Sequence, residues 1–531
     1  DQNLVVRAGA GWRLLDTIRA FGVSQVTALG EQDAVRERYL AWVFAMAADL
    51  EDRLDGDWQP AFYSVADDLR AAAIAVGSES AAHGFVRTLA HLTFAAGRFV
   101  EAQTFYQAAA RCTAGIEQGQ DLRAAADAAL AVADNRAAVD LMRQAAEAAG
   151  TAELRAQAAS VGVRYSLGSI GLPPGQRATL LAQAAADADL TDRRLAALIA
   201  LATAWHEGRH WIADLDRARD ALELARAAND PLVQLAAMDA LGGALLEAGA
   251  TRAAHRLATE RLQLATTLSR HDPAAVAEII DAFHTASVAA LGAGDLPAAL
   301  AMARQSRTDD PMGAHPYLQA PRLVRVLALT GDWDEALSRG EGLWAAWRRD
   351  GDPPMSWMAS ALALGAMIHG LRGESAAEQE WRERAQTVAA GTPVVAAGLA
   401  FADARVTVHC RQFGNAAAQV EQAFAPFADP RWVGYARAVG AELAVVADRP
   451  DAAERIVAAE LYAAENDWAA ACLTRVRGRL GDRAALADAV EQWDRLGARF
   501  ERAATLVLLS ERAEQGRAEL AALGCPIPDR P

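Results

Sequence analysis

The segments Gly294-Asp-Leu-Pro-Ala-Ala299 and Gly331-Asp-Trp-Asp-Glu-Ala336 decide the fold of this 531-residue chain. In each segment a glycine ends one apolar stretch, and an alanine-rich stretch begins at once. Related segments, the last three of them weaker, begin at Gly97, Gly249, Gly373, Gly414, Gly481, Asn135, Gly208 and Arg449. From Gly208 onward, successive turns are 32 to 45 residues apart. A helix-turn-helix unit that repeats at this period predicts a solenoid of helical hairpins.

Each repeat has a physical basis. Glycine lets the chain leave the first helix with a positive φ, and alanine, small and strongly helix-forming, lets the second helix lie close to it. One pair cannot bury its apolar face alone, so neighbouring pairs must stack. The nearest named repeat is the tetratricopeptide repeat of about 34 residues. We therefore predict an all-α fold, a right-handed helical-hairpin solenoid with about eleven helix pairs.

The predicted organisation has three parts. Residues 76–520 form the solenoid, whereas residues 1–75 do not repeat. Within residues 4–15, two apolar stretches around a glycine turn predict a β-hairpin, and helices are expected from Asp16 and over residues 31–54. This order suggests the remnant of a winged helix followed by connecting helices. Residues 521–531 contain Pro526, Pro528 and Pro531 and are expected to form a tail or linker.

Composition excludes several classes of function. About a quarter of the residues are alanine, and all 52 basic residues are arginine because the sequence contains no lysine. A P-loop, a Schiff-base enzyme and a protein kinase each need a lysine, so none of these is expected within the 531 residues. The net charge of −16 and the lack of any basic run argue against a nucleic-acid-binding surface.

Cysteine usage and hydropathy predict a cytoplasmic protein. The four cysteines lie far apart and form no Cys-x-x-Cys pair, so neither a disulfide framework nor a zinc ribbon is expected. No run of about 18 uninterrupted apolar residues is present, and residues 1–30 lack the features of a signal peptide. Because the first residue is Asp1 rather than methionine, we expect the chain to be part of a longer protein.

The segment His206-Glu-Gly-Arg-His210 matches the zinc-hydrolase pattern His-Glu-x-x-His. That pattern requires one unbroken helix, whereas Gly208 stands where the repeat places a turn. We favour two histidines in a repeat turn and keep a zinc hydrolase as a remote alternative. The remaining histidines are scattered, and no serine or cysteine has the setting of a nucleophile. We therefore predict that the chain is not an enzyme and holds neither a metal nor a cofactor.

Both ends of the chain resemble a known family. The segments Trp12-Arg-Leu-Leu-Asp-Thr-Ile-Arg-Ala-Phe21, Gly30-Glu-Gln-Asp-Ala-Val-Arg-Glu-Arg-Tyr39 and Asp67-Asp-Leu-Arg-Ala-Ala72 resemble a stretch of the large actinobacterial regulators of the STAND class. These are signal-transduction ATPases of the LuxR type and the antibiotic-regulator type. Near the other end, Leu496-Gly-Ala-Arg-Phe-Glu-Arg-Ala-Ala504 and Arg517-Ala-Glu-Leu-Ala-Ala-Leu-Gly524 look like the last repeats before a DNA-binding domain in LuxR-type members.

The resemblance implies a non-catalytic sensor or protein-interaction module of a transcriptional regulator. Such a module would bind an effector, a small molecule or a protein, on its concave face and control an attached nucleotide-binding domain. ATP would be bound only by that upstream domain, and any DNA-binding domain would follow Pro531. Self-association is possible in this family, whereas direct contact with nucleic acid or a membrane is not expected. The alternative is a stand-alone scaffold or adaptor of the same fold.

The concave surface gives the candidate site residues. In tetratricopeptide-like repeats the first helix of each pair lines the groove, at positions about 13, 10, 6, 3 and 2 residues before the turn glycine. Eight of the thirteen tryptophans fall within residues 333–493, where we expect them mainly to fill space between helices. Counting back from the turn glycines gives the candidate contacts Asp239, Asp281, His284, Arg325, Met367, Phe401 and Arg411.

Overall fold

The computed structural model describes residues 5–8, 11–165, 171–189, 191–206, 212–309, 316–353, 355–427 and 429–527. The chain is an all-α solenoid of helical hairpins, preceded by one β-hairpin. It divides into two compact units. Unit 1 comprises Asp1–Thr203 and Leu268–Ala277, and unit 2 comprises Ala204–Thr267 and Glu278–Pro531. Two of the three unit boundaries, after Thr203 and after Ala277, fall inside helices, and the third, after Thr267, falls between two helices.

The predicted β-hairpin is present at the start of unit 1. Strands β1 (Val5–Ala8) and β2 (Gly11–Leu14) are antiparallel, with Val5 opposite Leu14 and Ala8 opposite Gly11. The next helix, α1 (Asp16–Leu29), ends at Gly30, whose φ of 69° is in the left-handed region that glycine adopts freely.

The other helices of unit 1 pack in sequence order from the helix His83–Ala95 to the helix Gln176–Ala186. One hydrophobic cluster of unit 1 contains buried residues from Val43 to Leu92 together with Ala109, and it includes Trp58, Phe62 and Leu89. The connecting helices and the first repeats therefore share one core, because apolar side chains of both face the same interior. The helices are α2 (Gln32–Asp52), α3 (Gln59–Val76), α4 (His83–Ala95), α5 (Phe99–Arg111), α6 (Ile116–Ala131), α7 (Asn135–Ala149), α8 (Ala152–Arg164), α9 (Gln176–Ala186) and α10 (Arg193–Ala204), which ends at the unit boundary.

Unit 2 shows the hairpin repeat most clearly. Alternate helices pack in a row, and each is followed by a partner helix; those in the row are Pro316–Thr330, Ala359–Leu371, Ala396–Cys410, Val433–Val446 and Asp467–Arg479. The helices are α11 (Leu215–Ala228), α12 (Pro231–Glu247), α13 (Thr251–Ala265), α14 (Pro273–Gly292), α15 (Leu296–Asp309), α16 (Pro316–Thr330), α17 (Trp333–Arg349), α18 (Ala359–Leu371), α19 (Ser375–Ala389), α20 (Ala396–Cys410), α21 (Ala416–Ala423), α22 (Val433–Val446), α23 (Ala452–Ala463), α24 (Asp467–Arg479), α25 (Arg483–Leu496), α26 (Arg499–Leu506) and α27 (Ala513–Ala522). Among the described residues, one helix, α14, is long and apolar enough to cross a membrane, and 83% of its apolar 18-residue window is buried inside the protein.

Most of the predicted turn glycines have the expected left-handed backbone conformation. A positive φ occurs at Gly97, Gly249, Gly294, Gly331, Gly373 and Gly481. Three repeats instead place an ordinary residue in the left-handed region, namely Ala133, Arg411 and Asp448. The turns assigned to Asn135, Gly414 and Arg449 are therefore shifted by one to three residues towards the N-terminus.

In unit 2 the later repeats of the helical stack contact earlier ones, which we call the return of the stack. The Asn466 amide donates to the carbonyl oxygen of Gly292 at 2.8 Å, across 174 residues. The Tyr435 hydroxyl donates to the carbonyl oxygen of Leu291 at 2.7 Å. Near the C-terminus, Arg372 Nε donates to the carbonyl oxygen of Leu523 at 3.0 Å. Repeats that are distant in sequence therefore touch, and the segment 521–525, expected to be part of a tail, belongs to the packed unit, with Cys525 in its core.

Candidate functional site

The two predicted acidic residues, Asp239 and Asp281, both contact one buried arginine. Arg261 on α13 is 1% exposed, and its guanidinium group contacts Asp239 Oδ1 at 3.0 Å and Asp281 Oδ2 at 2.7 Å. A third carboxylate, Glu278, lies 2.8 Å away. Thr285 also accepts a hydrogen bond from Arg261. Asp239 and Asp281 therefore help to neutralise a buried cation that joins α12, α13 and α14.

His284 and Arg325, both predicted to face a groove, meet in the interior at Trp357. The imidazole of His284 packs edge-on against the Trp357 ring, with centroids 5.8 Å apart. Arg325 Nη2 donates to the Trp357 carbonyl oxygen at 2.9 Å. Two further arginines, Arg322 and Arg431, act electrostatically on both His284 and Arg325. We call Arg322, Arg325 and Arg431 the arginine cluster.

Arg431 of the arginine cluster has the buried carboxylate of Asp429 next to it. Arg431 holds Asp429 with two bonds, from Nε to Oδ1 at 2.6 Å and from Nη2 to Oδ2 at 2.8 Å. Burial, together with Arg431 and Arg322 and opposed by Asp429, lowers the pKa of Arg325 to about 9. Burial, reinforced by Arg322, lowers the pKa of His284 to about 3. His284 is therefore neutral near pH 7.

Sequence reasoning missed Arg322 and Arg431. Arg322 lies three residues before Arg325, so the helical period alone places both on one face of α16. Arg431 is in the short 3-10 helix Pro430–Trp432, more than 100 residues further along the chain. No periodicity connects it with α16.

Met367 and Phe401 correct the prediction of a groove-facing stripe. They are 4% and 0% exposed, respectively, and both belong to the largest hydrophobic core. Phe401 contacts Trp432, Tyr435 and Trp468 with ring centroids 5.3 to 5.9 Å apart. The positions that would line an open groove are thus filled by the aromatic residues of the returning stack, as expected for most of the tryptophans.

Arg411 is also not a groove residue of the first helix. It follows the last residue of α20 and adopts a φ of 57°, so it forms the turn itself. Its guanidinium group lies 5.9 Å from the centroid of the Phe413 ring. The prediction counted back from Gly414, which lies in the 3-10 helix Phe413–Asn415 after the turn.

Unit 2 contains an accessible cleft of about 680 Å³ that no sequence prediction covered. Its floor is apolar and includes Ala463, Ala470, Leu473 and Leu496. Its remaining lining is polar or lies at the rim, and consists of Asp295, Pro297, Ile456, Glu460, Ala464, Asp467, Thr474, Arg477, Gln492 and Arg495. An apolar floor inside a charged rim is the usual lining of a binding site rather than of a packed core.

The rim of this cleft carries both signs of charge. Asp295, Glu460 and Asp467 supply carboxylates, and Arg477 and Arg495 supply guanidinium groups. The hydrogen bond from His255 lowers the pKa of Asp295, so this carboxylate stays ionised. Asp467 pairs with Arg252 at 2.6 Å, which leaves Glu460 as the more accessible acid.

The His-Glu-x-x-His segment lies mostly outside the described residues, which omit 207–211. Helix α10 ends at Ala204, before His206. The backbone N–H of His206 donates to the carbonyl oxygen of Ile212 at 2.8 Å, and Trp205 forms an antiparallel bridge with Ala213. His206 is therefore not on a helix, which disfavours the zinc-hydrolase geometry. Within the described ranges, no group of three or more His, Cys, Asp or Glu residues is placed to hold a metal ion.

Comparison with known proteins adds no family. No family model matches the chain, and no curated protein matches it. Among solved structures, the chain is similar to a circular tandem repeat protein with novel repeat topology and enhanced subunit contact surfaces. The two are 12% identical, with 92% of this chain and 96% of that chain covered, but the TM-score is 0.13. So low a score supports no inference, and the fold assignment rests on the chain's own helices.

Proposed function

We propose that the chain is the non-catalytic sensor and protein-interaction module of a STAND-type transcriptional regulator. Its effector binds in the cleft of unit 2, and the bound state controls an attached ATPase. The single observation that carries the binding role is the cleft itself, an accessible space of about 680 Å³ with an apolar floor and charges of both signs. The assignment to the STAND class rests on the sequence resemblance at the two ends.

The cleft suits an extended protein segment better than an apolar small molecule. A segment with alternating charges would pair its acidic side chains with Arg477 and Arg495 and its basic side chains with Glu460. Its apolar side chains would cover Leu473 and Leu496. Rim charges of this kind mainly set specificity and association rate, while the covered apolar floor supplies affinity.

The regulator assignment is tested by the reading frame that encodes these residues. We expect a Gly-x-x-x-x-Gly-Lys-Ser/Thr segment upstream of residue 1, since a STAND ATPase binds nucleotide through it. A complete reading frame without that segment would favour the stand-alone scaffold or adaptor.

The binding role is tested by selecting peptides from a displayed random library against the whole chain. We expect the selected peptides to share apolar residues flanked by both charges and to compete with one another for the cleft. Peptides that bind equally well when Glu460 and Arg477 are both replaced by serine would place the binding surface elsewhere.

A further inference from the structure

His91 on α4 joins helix α2 to a segment from a distant part of the sequence. Its Nδ1 lies 2.7 Å from Glu51 Oε1 on α2, and its Nε2 lies 3.0 Å from the carbonyl oxygen of His271. His271 belongs to Leu268–Ala277, a segment of unit 1 that is flanked in the sequence by residues of unit 2. The Trp58 ring also contacts the His271 ring edge-on, with centroids 6.2 Å apart. His91 and Trp58 therefore hold this segment on unit 1.

Both partners of the His91 ring are hydrogen-bond acceptors. A carbonyl oxygen only accepts, and a neutral imidazole has one donor nitrogen and one acceptor nitrogen. The Glu51 carboxylate accepts a further hydrogen bond from Thr88 Oγ1 at 2.7 Å, as expected of an ionised group. The two contacts of His91 therefore form together only when both ring nitrogens carry a proton. The ring that makes them is an imidazolium cation.

The surroundings of His91 favour this cation. The hydrogen bond with Glu51 raises the pKa of His91 above its ordinary value although burial opposes it, and Asp272 adds to the increase. The same hydrogen bond holds the pKa of Glu51 below its ordinary value, with help from Arg87. The carboxylate is therefore ionised at neutral pH, and His91 keeps its charge in a pH range where an ordinary histidine is mostly neutral.

The other ionisable groups around this contact keep their charge state above about pH 7. Burial lowers the pKa of His271 although Asp55 opposes this, so that ring is neutral. Burial raises the pKa of Tyr106 on α5, and Glu51 adds to the increase, so the phenol stays protonated. Helix α3 faces α4 with apolar side chains of their shared cluster. Arginines stay charged and the sequence contains no lysine, so His91 is the group whose charge changes.

We propose that His91 is a pH-sensitive clasp, which holds the segment Leu268–Ala277 on unit 1 while its ring is protonated and releases the segment when the ring loses a proton. A neutral ring keeps its bond to Glu51 through Nδ1–H. The lone pair of Nε2 then faces the carbonyl oxygen of His271 and is repelled by it. The contribution of the clasp is complete at about pH 6.5, the pKa of an unpaired histidine, and is lost as the pH rises through the raised pKa of His91.

This inference goes beyond the proposed function, because neither His91, Glu51 nor the segment 268–277 lines the cleft. A failed peptide-binding experiment would therefore leave the clasp intact. Failure of the clasp would likewise leave the cleft as the binding site.

The test is hydrogen–deuterium exchange of the backbone amides of residues 268–277 in the whole chain, from about pH 7 to about pH 9.5, with each rate corrected for the intrinsic exchange rate at that pH. We expect the protection of these amides to fall about 10- to 100-fold over this range, since a charged hydrogen bond is lost. His91→Gln removes the titrating ring, so its protection should be equal at the two ends of the range. His83→Gln is the matched control, because it removes from the same helix a histidine that lies 2.6 Å from the Asp121 carboxylate, and it should keep the wild-type change.

Glu51→Gln provides a second variant if His91→Gln does not fold. It removes the carboxylate that stabilises the cation, so the loss of protection should move to lower pH by at least about one unit. Equal protection of residues 268–277 at both ends of the pH range in the wild-type chain would overturn the proposal. A loss of protection that persists in His91→Gln, or that keeps its pH in Glu51→Gln, would also overturn it.

Discussion

At the scale of the residue, Glu442 is the centre of a buried network of arginines. It is fully buried and accepts hydrogen bonds from Arg475 Nε and Nη2 at 2.8 and 2.7 Å and from Arg479 Nε at 2.9 Å. Arg405 Nη1 lies 3.4 Å away. Burial alone would raise the pKa of Glu442, but the arginines reverse this and hold the pKa well below its usual range.

We expect Glu442→Gln to lower the free energy of unfolding by about 3–5 kcal/mol, since it leaves Glu501 as the carboxylate that still pairs with the buried Arg405 and Arg475 and takes the carboxylate partner from Arg479. Urea unfolding measures this loss. Glu454→Gln on the exposed face of α23 is the control and should change stability by less than about 0.5 kcal/mol. Equal effects of the two substitutions would show that the network is not essential for stability.

The pH dependence of stability tests the environment of His284. Its pKa is lowered to about 3 in the folded chain, whereas an unfolded histidine has a pKa of about 6.5. The unfolded state binds the proton first, so this contribution to stability is complete above about pH 6.5 and is lost as the pH falls. Compared with His284→Gln, the wild-type chain should lose stability more steeply from about pH 6.5 to pH 4, by at most about 1.4 kcal/mol per pH unit. If the free energy of unfolding, measured with urea, fell equally with pH in the two proteins, the burial of this histidine would be contradicted.

The sequence predicted the site only in part at this scale. The helical stripe selected His284 on α14 and Arg325 on α16 separately, each by counting back from its own turn glycine, and the structure places both beside Trp357. The stripe could not predict that Met367 and Phe401 are buried, since burial there comes from aromatic residues of distant repeats. Arg411 was misplaced because its repeat turns at a non-glycine residue.

At the scale of elements, Trp381 on α19 explains why two helical positions, 340 and 365, are occupied by glycine. A Cβ at Gly340 on α17 would lie 2.6 Å from Trp381 Cη2, and one at Gly365 on α18 would lie 2.1 Å from Trp381 Cε3. Three helices thus close around one indole ring. The alanine-rich pattern of the sequence indicates close packing, but it does not show which glycine makes room for which ring.

Gly340→Ala should destabilise the chain by about 1–3 kcal/mol, because the added methyl group overlaps the indole. Gly342→Ala, two residues away on the same helix, meets nothing within 4 Å and should stabilise it by about 0.5–1 kcal/mol through helix propensity. Thermal unfolding should show a lower midpoint temperature for Gly340→Ala and a higher one for Gly342→Ala than for the wild-type chain. The packing described for Trp381 is wrong if both substitutions stabilise the protein.

At the scale of the whole molecule, unit 2 departs from a simple solenoid, in which each repeat touches only its neighbours. Asn466 caps α24 by accepting from the Ala469 N–H at 2.8 Å and also bonds to Gly292. The Asp467 N–H donates to the carbonyl oxygen of Ala293 at 2.8 Å. A Cβ at Gly294 would lie 2.5 Å from the Trp468 nitrogen, so only glycine fits at this crossing.

We expect Asn466→Ala to cost about 2–3 kcal/mol, the sum of a helix cap and a buried hydrogen bond. Asp482→Ala removes a cap from α25 without a distant contact and should cost about 1 kcal/mol. Urea unfolding measures the loss in free energy for each variant, and the difference between the two losses gives the contribution of the contact with Gly292. Equal losses would mean that the return of the stack adds no stability.

The repeat period predicted the solenoid because each turn has its own local signal. The return of the stack has no such signal, since its contacts join residues more than 150 positions apart. For the same reason the cleft of unit 2 was not foreseen. Its walls come from α23, α24 and α25, which are neighbours in sequence, and from the start of α15, which the return of the stack brings to them.

The binding role of the cleft is tested most directly by fluorescence anisotropy with a peptide selected against the whole chain. Arg477→Glu reverses one exposed charge of the rim, and Arg349→Glu makes the same change on an exposed position outside the cleft. We predict that Arg477→Glu weakens peptide binding at least about tenfold, or about 1.4 kcal/mol, while Arg349→Glu leaves it unchanged. Equal affinities of the wild-type chain and Arg477→Glu would contradict the assignment of the cleft as the effector site.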